Sequence, residues 1–244
     1  MDYAALGLRD KQDFRERIKI MWNGKQKAVT FSYDDGVVMD KRLVEIFNRY
    51  GMKGTFNLNS GMFSYAAFFN KEEVEIHRMN ADALPKLYEG HEIAVHCLTH
   101  ADLPKWDDET VYNEIRLDKQ NLERIFEVEI CGMAYPFGTY DERVMKIAAD
   151  CGIRYARTVE ETGNFEISEN LLALKASAHH NRADLFEMID RFLTLEPEKP
   201  QLLYIWGHSY EFEVEKNWER IEKICSLLSG REDIFYGTNS EVLL

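Results

Sequence analysis

The sequence lacks any run of about 18 apolar residues, the length a helix needs to cross a bilayer, so no membrane span is expected. Glycine and proline are few, 14 and 5 in 244 residues, and no Pro/Gly/Ser-rich linker, repeat or low-complexity stretch occurs. Collagen-like and disordered readings are set aside on that ground. The four cysteines, Cys97, Cys131, Cys151 and Cys225, stand far apart with no C-x-x-C pair. They read as free, mostly buried thiols of a reducing compartment, not as a disulfide framework. Positive charge is also short: 30 Lys and Arg against 43 Asp and Glu leave a net charge of −13. Nucleic acid and anionic membrane surfaces draw on Lys/Arg contacts with phosphate, so neither is an expected partner. Met1 to Ile20 is charged throughout and has no apolar h-region, which points to a cytoplasmic protein unless a leader has been removed.

What is present is ordinary globular composition, 45% hydrophobic and 30% charged, in a length that suits a single domain over residues 1–244 with a core at about 22–240. Alternating apolar residues predict strands at Ala28–Tyr33, Lys53–Asn59, Glu92–His96, Cys131–Tyr135, Ile153–Arg157, Leu171–Ala176 and Leu202–Trp206. Helical spacing predicts Asp40–Tyr50 closed by Gly51, Leu84–Glu89, and a long Asp107–Phe126 with Val111, Ile115 and Leu122 on its stripe. Further helices carry Val144, Ile147 and Ala148 behind a Thr139 cap, then Leu185 to Phe192, then Trp218 to Leu228. The aromatic stretch Gly61–Asn70, with Phe63, Tyr65, Phe68 and Phe69, fits no element. Strands alternating with helices argue for parallel βαβ units. About seven of them suit a distorted (β/α) barrel, the alternative being an open doubly wound sheet. In either architecture function belongs in the loops after strand C-terminal ends.

Those ends carry chemistry. Asp34, Asp35 and Gly36 follow the first strand, His96 and His100 the third, Pro136-Phe137-Gly138 the fourth, His179 and His180 the sixth, and His208 the seventh. Five of seven histidines and an aspartate pair therefore fall at one rim. Singly, each has a bland explanation as a turn, a cap or a hydrogen-bonded structural histidine. Jointly, a carboxylate and two imidazoles form a standard set for a divalent metal that leaves positions open for water and substrate. A second carboxylate can take a proton, a histidine from another strand end can protonate a leaving group, and backbone N–H groups of the Tyr135–Gly138 turn can hold an oxyanion. The parts suit metal-assisted hydrolysis of an amide or ester.

Thr30-Phe31-Ser32-Tyr33-Asp34-Asp35-Gly36 resembles the first motif of the polysaccharide deacetylases, the NodB-homology or carbohydrate esterase family 4 domain. The run from Gly90 to His100 is similar to that family's second motif, Ala134 to Gly138 to its third, and Leu203 to His208 to its last, in the family's order. The resemblance implies that Asp35, His96 and His100 bind a metal, zinc in most members and cobalt or manganese in some. It implies Asp34 as general base, the Phe137 N–H as oxyanion donor and His208 as general acid. The carbohydrate substrate would be lined by Tyr135, Pro136, Arg157 and Trp206. Three positions depart from the family pattern. Cys97 stands where Ser or Thr is usual, which raises the question of a metal-binding thiolate. Ala134 stands where an Arg usually pairs with the base, and Arg157 is the candidate replacement. The Asp/Trp motif that orients the catalytic histidine is missing, with Ser177, His179 and His180 in its region and Glu211 further on as a candidate sugar contact. Two other functions stay open on the same residues: a ureide or cyclic-amide hydrolase, and a non-catalytic carbohydrate- or metal-binding relative.

Overall fold

The computed structural model describes residues 22–63 and 68–244, so the charged start and Tyr65 lie outside the described residues. In chain order the elements are β1 (Lys27–Asp34), α1 (Asp40–Tyr50), β2 (Gly54–Leu58), β3 (Phe68–Lys71), β4 (Val74–His77), α2 (Leu84–Leu87), β5 (Glu92–Val95), α3 (Asp108–Phe126), β6 (Gly132–Ala134) and α4 (Glu142–Asp150). They continue with β7 (Tyr155–Glu161), β8 (Leu174–Ala176), β9 (Ala178–His179), α5 (Leu185–Thr194), β10 (Gln201–Gly207), α6 (Ser209–Val214), α7 (Trp218–Leu228), β11 (Ile234–Tyr236) and α8 (Asn239–Leu243). No described helix is long and apolar enough to cross a membrane.

The main sheet is parallel throughout, in the order β8-β7-β6-β5-β2-β1-β10-β9, with β11 added beside the N-terminal half of β1. Its two ends are one piece of chain. Only Ser177 separates β8, which bonds to β7, from β9, which bonds to β10. Ser177 itself donates its N–H to Tyr204 O at 2.8 Å. This kinked strand closes the sheet into a barrel of seven strand positions, distorted at the seam where the β7–β8 register shifts. The parallel barrel expected from the alternation of strands and helices is borne out.

Side chains of successive strand residues point to opposite faces, and the core divides accordingly. Val29, Phe31, Tyr33, Phe56, Leu58, Ile93, Val95, Met133, Leu203 and Ile205 join the helices in the large outer cluster. Ala28, Tyr155, Leu174, Ala176, Leu202, Tyr204 and Trp206 form a second cluster inside the barrel, closed by Trp22, Val242 and Leu243. The C-terminal α8 plugs the bottom. Asn239 accepts from Thr30 Oγ1 at 3.0 Å and donates to Tyr204 Oη at 2.7 Å, while the buried Glu92 carboxylate takes Thr55 Oγ1, Tyr155 Oη and the Ser240 N–H. These contacts pack the lower end of the barrel, opposite the rim that carries the aspartates and histidines.

Most predicted helices appear within a residue or two of their expected bounds, and Gly51 closes α1 at φ 67°. The cap of α4 is a correction: Asp141, not Thr139, accepts the Val144 N–H at 2.7 Å, and the Thr139 hydroxyl is given to Asp102 instead. The unassigned aromatic stretch leads into an antiparallel hairpin, β3–β4. That hairpin is latched to the loop after β1 by Val38 N–H to His77 O (2.9 Å) and Met79 N–H to Gly36 O (3.0 Å).

His91, below the rim, makes acid stability testable. Its Nδ1 accepts the Gly54 N–H at 3.1 Å, so the ring must be neutral. Burial, helped by Lys53, lowers its pKa from 6.5 to about 4. A folded pKa below the unfolded one means full stability above pH 6.5 and progressive loss toward pH 4. Denaturant unfolding at pH 7.5 and 4.5 should show His91→Gln losing roughly 2 kcal/mol less than the parent over that interval.

Candidate active site

The end of β1 turns into left-handed backbone, φ 81° at Asp35 and 62° at Gly36. This turn lets two adjacent carboxylates border one pocket, where straight strand geometry would send them to opposite faces. Cys97 (φ 64°), His100 (φ 59°) and Phe137 (φ 59°) are also left-handed, conformations that non-glycine residues adopt at a cost and that cluster at functional sites.

The loop from His96 to His100 is clamped by α3. Asp118 accepts the His96 N–H at 3.1 Å and the Ser60 N–H at 2.7 Å, and Glu114 accepts the N–H and hydroxyl of Thr99 at 2.9 and 2.7 Å. Burial pushes the Asp118 carboxyl up to about 7 despite those donors. His96 Nδ1 lies 2.8 Å from Ala134 O and so carries the proton, leaving the Nε2 lone pair pointing into the site. That Nε2 is buried with no hydrogen-bond partner among the described residues. Asp35, His96 and His100 offer ligand atoms within 4.8 Å of one another, and these three residues fit a divalent ion. Burial lowers both imidazoles, His100 to about 4, which keeps their lone pairs free of protons at neutral pH.

Asp34 stands beside this group, 3% exposed. Arg157 Nη2 donates to both its oxygens at 2.5 Å, and Asn57 Nδ2 to Oδ1 at 2.8 Å. Burial would raise the Asp34 pKa, but the Arg157 guanidinium with the His96 and His208 imidazoles outweighs it and holds the carboxyl well below the usual range. Arg157 is the in-register neighbour of Ala134 across β6 and β7, so its guanidinium reaches Asp34 from the strand adjoining the motif position that lacks one. It is fully buried, with the Trp206 ring 4.4 Å away.

On the far side, His208 Nε2 is 3.9 Å from Asp34 Oδ2 and Nδ1 is 3.5 Å from Glu211 Oε2. Burial works against a charged His208, yet Glu211 and Asp34 together raise its pKa above the ordinary value. Glu211 also faces His179 Nε2 at 3.0 Å and His180 Nε2 at 3.2 Å, and these imidazoles hold it ionised against burial. His179, His180 and Glu211 are close enough together for an ion. However, His179 Nδ1 accepts the Asn181 N–H at 3.2 Å, which puts the proton on the Nε2 that faces Glu211. That nitrogen has no lone pair for a metal, so the group is a set of close imidazole–carboxylate contacts beside His208. Gly207 permits it: a Cβ there would lie 2.1 Å from His180 Nδ1.

Several of the expected contacts are buried. Tyr135 is buried, stacks on Tyr140 and gives its hydroxyl to Leu172 O at 2.9 Å, so its side chain faces the core. Pro136 is buried in the turn, and Trp206 lies inside the barrel against Arg157. Cys97 belongs to the outer core, with its thiol pushed well above the usual pKa by burial, and stands outside the Asp35–His96–His100 group. Glu211 is engaged by three imidazoles and is not an open sugar contact. Phe137, Trp106 and Phe68 are among the large apolar side chains that stand exposed. Sequence reasoning missed Arg78, Asn57, Asn59, Glu114 and Asp118. Only Asp118 carried a legible signal, a charge set on the apolar stripe between Ile115 and Leu122.

A parallel barrel with an Asp–His–His group and a buried, guanidinium-paired aspartate at its strand ends defines a hydrolase-like α/β architecture. The polysaccharide deacetylase family model matches residues 22–156, more than half of the chain, and the chain belongs to that family. Its fold is similar to that of a family 4 carbohydrate esterase from Streptomyces lividans in complex with acetate, at 15% identity and TM-score 0.58 over 89% of this chain and 95% of that one. The deacetylase PplD of Streptococcus pyogenes, also in complex with acetate, matches at 21% identity and TM-score 0.55 over 66% and 69%. A mutant family 4 pseudoenzyme from Bacillus anthracis with restored enzymatic activity matches at 14% identity and TM-score 0.56 over 90% and 68%. No curated protein matches the chain significantly by sequence.

Proposed function

We propose that this protein is a metal-dependent hydrolase that removes acetyl groups from an N- or O-acetylated carbohydrate. The observation that carries the reading is the unpartnered, buried His96 Nε2, aimed at a site shared with Asp35 and His100 and bordered by an ionised Asp34. Those three residues would hold the ion, zinc by the family resemblance with cobalt or manganese as substitutes. When bound, such an ion supplies Lewis acidity and brings the pKa of water toward neutrality. Asp34, kept charged by Arg157, accepts the proton of the attacking water. The Phe137 N–H, in its left-handed turn, donates to the oxyanion as the carbonyl carbon becomes tetrahedral. His208, with the Glu211 carboxylate 3.5 Å from its Nδ1, delivers a proton from Nε2 to the departing amine or alcohol. The exposed Phe137, Trp106 and Phe68 rings offer faces for sugars. Arg157 beside Asp34 and Glu211 beside His208 offer these two residues charged partners that the missing motifs would otherwise supply, which favours a working enzyme over a binding-only relative.

Metal analysis of the purified protein with an acetate-release screen on acetylated oligosaccharides tests this directly. Chelation should abolish release and added Zn2+ restore it. His208→Ala should lower kcat by about 10²–10⁴ with metal content unchanged, and a loss under tenfold would remove His208 as the acid.

A further inference from the structure

Both carboxylates of the Asp34–Asp35 pair already carry a guanidinium. Arg157 sits on Asp34, and Arg78, just past the hairpin, donates from Nη2 to Asp35 Oδ1 at 2.7 Å and to Asn59 Oδ1 at 3.5 Å. Arg78 is 6% exposed, its guanidinium lies 5.4 Å from the Phe69 ring centroid, and its buried Nε has no hydrogen-bond partner among the described residues. Its position is set by backbone, through the Val37–Arg78 bridge and the Met79–Gly36 hydrogen bond. The same Asp35 Oδ1 lies 3.7 Å from His100 Nε2. The oxygen that would serve an ion together with His100 is therefore the oxygen Arg78 already holds.

We infer that Arg78 is a built-in competitor for the cation, sharing Asp35 with it and setting how tightly the site binds metal. The inference rests on the metal reading of Asp35, His96 and His100. A carboxylate oxygen has lone pairs for both partners, so the conflict is electrostatic: two cations on one buried oxygen repel in a medium that screens poorly. The Asp35 charge is also already compensated, so an arriving ion relieves no unpaired buried carboxylate. The metal-free fold is stabilised at the expense of metal affinity, and one hairpin-borne residue sets the balance between them.

The test uses Co2+ as probe, in competition with a chromophoric chelator at fixed ionic strength, on the parent, Arg78→Gln and Arg78→Lys, alongside thermal unfolding of the metal-free proteins. Arg78→Gln should bind Co2+ roughly tenfold tighter or more and melt lower when metal-free. Arg78→Lys, which keeps a cation there, should stay near the parent affinity. Equal or weaker binding by Arg78→Gln overturns the inference while leaving the metal site standing. Absence of Co2+ binding in all three overturns both. Should Arg78→Gln fail to fold, the 15Nε resonance of Arg78 in the parent decides: it must move as Zn2+ is added, and an unmoved resonance with metal bound refutes the competition.

Discussion

Asp34→Asn is expected to lower kcat for acetate release by about 10³-fold, within the span general-base removal usually shows, while metal content stays unchanged. The substitution keeps an oxygen facing Arg157 and Asn57 but removes the group that can take a proton. The residues proposed to hold the metal, Asp35, His96 and His100, are untouched. Because the carboxyl is held well below its ordinary pKa by Arg157, His96 and His208 against the pull of burial, it is fully ionised at neutral pH in the parent. Kinetics read alongside metal analysis separate this from loss of the ion. Turnover within tenfold of the parent would show that another group takes the proton.

The second large effect is on stability. Arg157→Met should destabilise the fold by roughly 3–5 kcal/mol at neutral pH, the cost typical of stranding one member of a buried ion pair. Methionine fills much of the space and keeps contact with Trp206, but it leaves Asp34 buried without its guanidinium. The pH dependence identifies the cause. In the parent, Asp34 titrates below its unfolded value of 3.8, so its contribution is present above that pH and is lost as pH falls through the lower folded value. Without Arg157, burial dominates and the folded pKa lies above the unfolded one, so protonation relieves the variant as pH falls. Denaturant unfolding at several pH values should therefore show the gap between variant and parent widest at neutral pH and narrowing toward pH 4. A gap below about 1 kcal/mol, or one independent of pH, would count against a buried pair as the origin.

What could be read from the chain depended on the range of the interaction. The α1 and α3 helices follow from local periodicity and their caps, Gly51 at φ 67° and the Asp107 side chain on the Thr110 N–H. The strands follow from alternation, although of the expected sixth, Leu171–Ala176, only Leu174–Ala176 is strand, and the chain continues past Ser177 into an unexpected β9. The kink at Ser177 depends on having β7 on one side and β10 on the other. The hairpin was invisible because Phe68 to His77 has no strong alternation, and its place is decided by the loop after β1.

The residues now proposed as ligands, base and acid were legible because each lies at a strand end within a short motif, where residue type and spacing are both local. Left-handed turns at Asp35 and His100, the α3 clamp on the His96 loop, and Tyr135 turned into the core were not, since none is a property of a segment alone. The same division separates the site's parts from its electrostatics. The sequence determined parallel βαβ units with aspartates and histidines at their strand ends, and tertiary structure closed them into a barrel rather than an open sheet. The sequence offered Arg157 as a candidate partner of Asp34, but tertiary structure decided that it reaches Asp34 from 123 residues away and that Arg78, which nothing local singled out, holds Asp35 from 43 residues away. Charge pairing acts through space and is strongest where water is excluded, and only the closed barrel creates that exclusion.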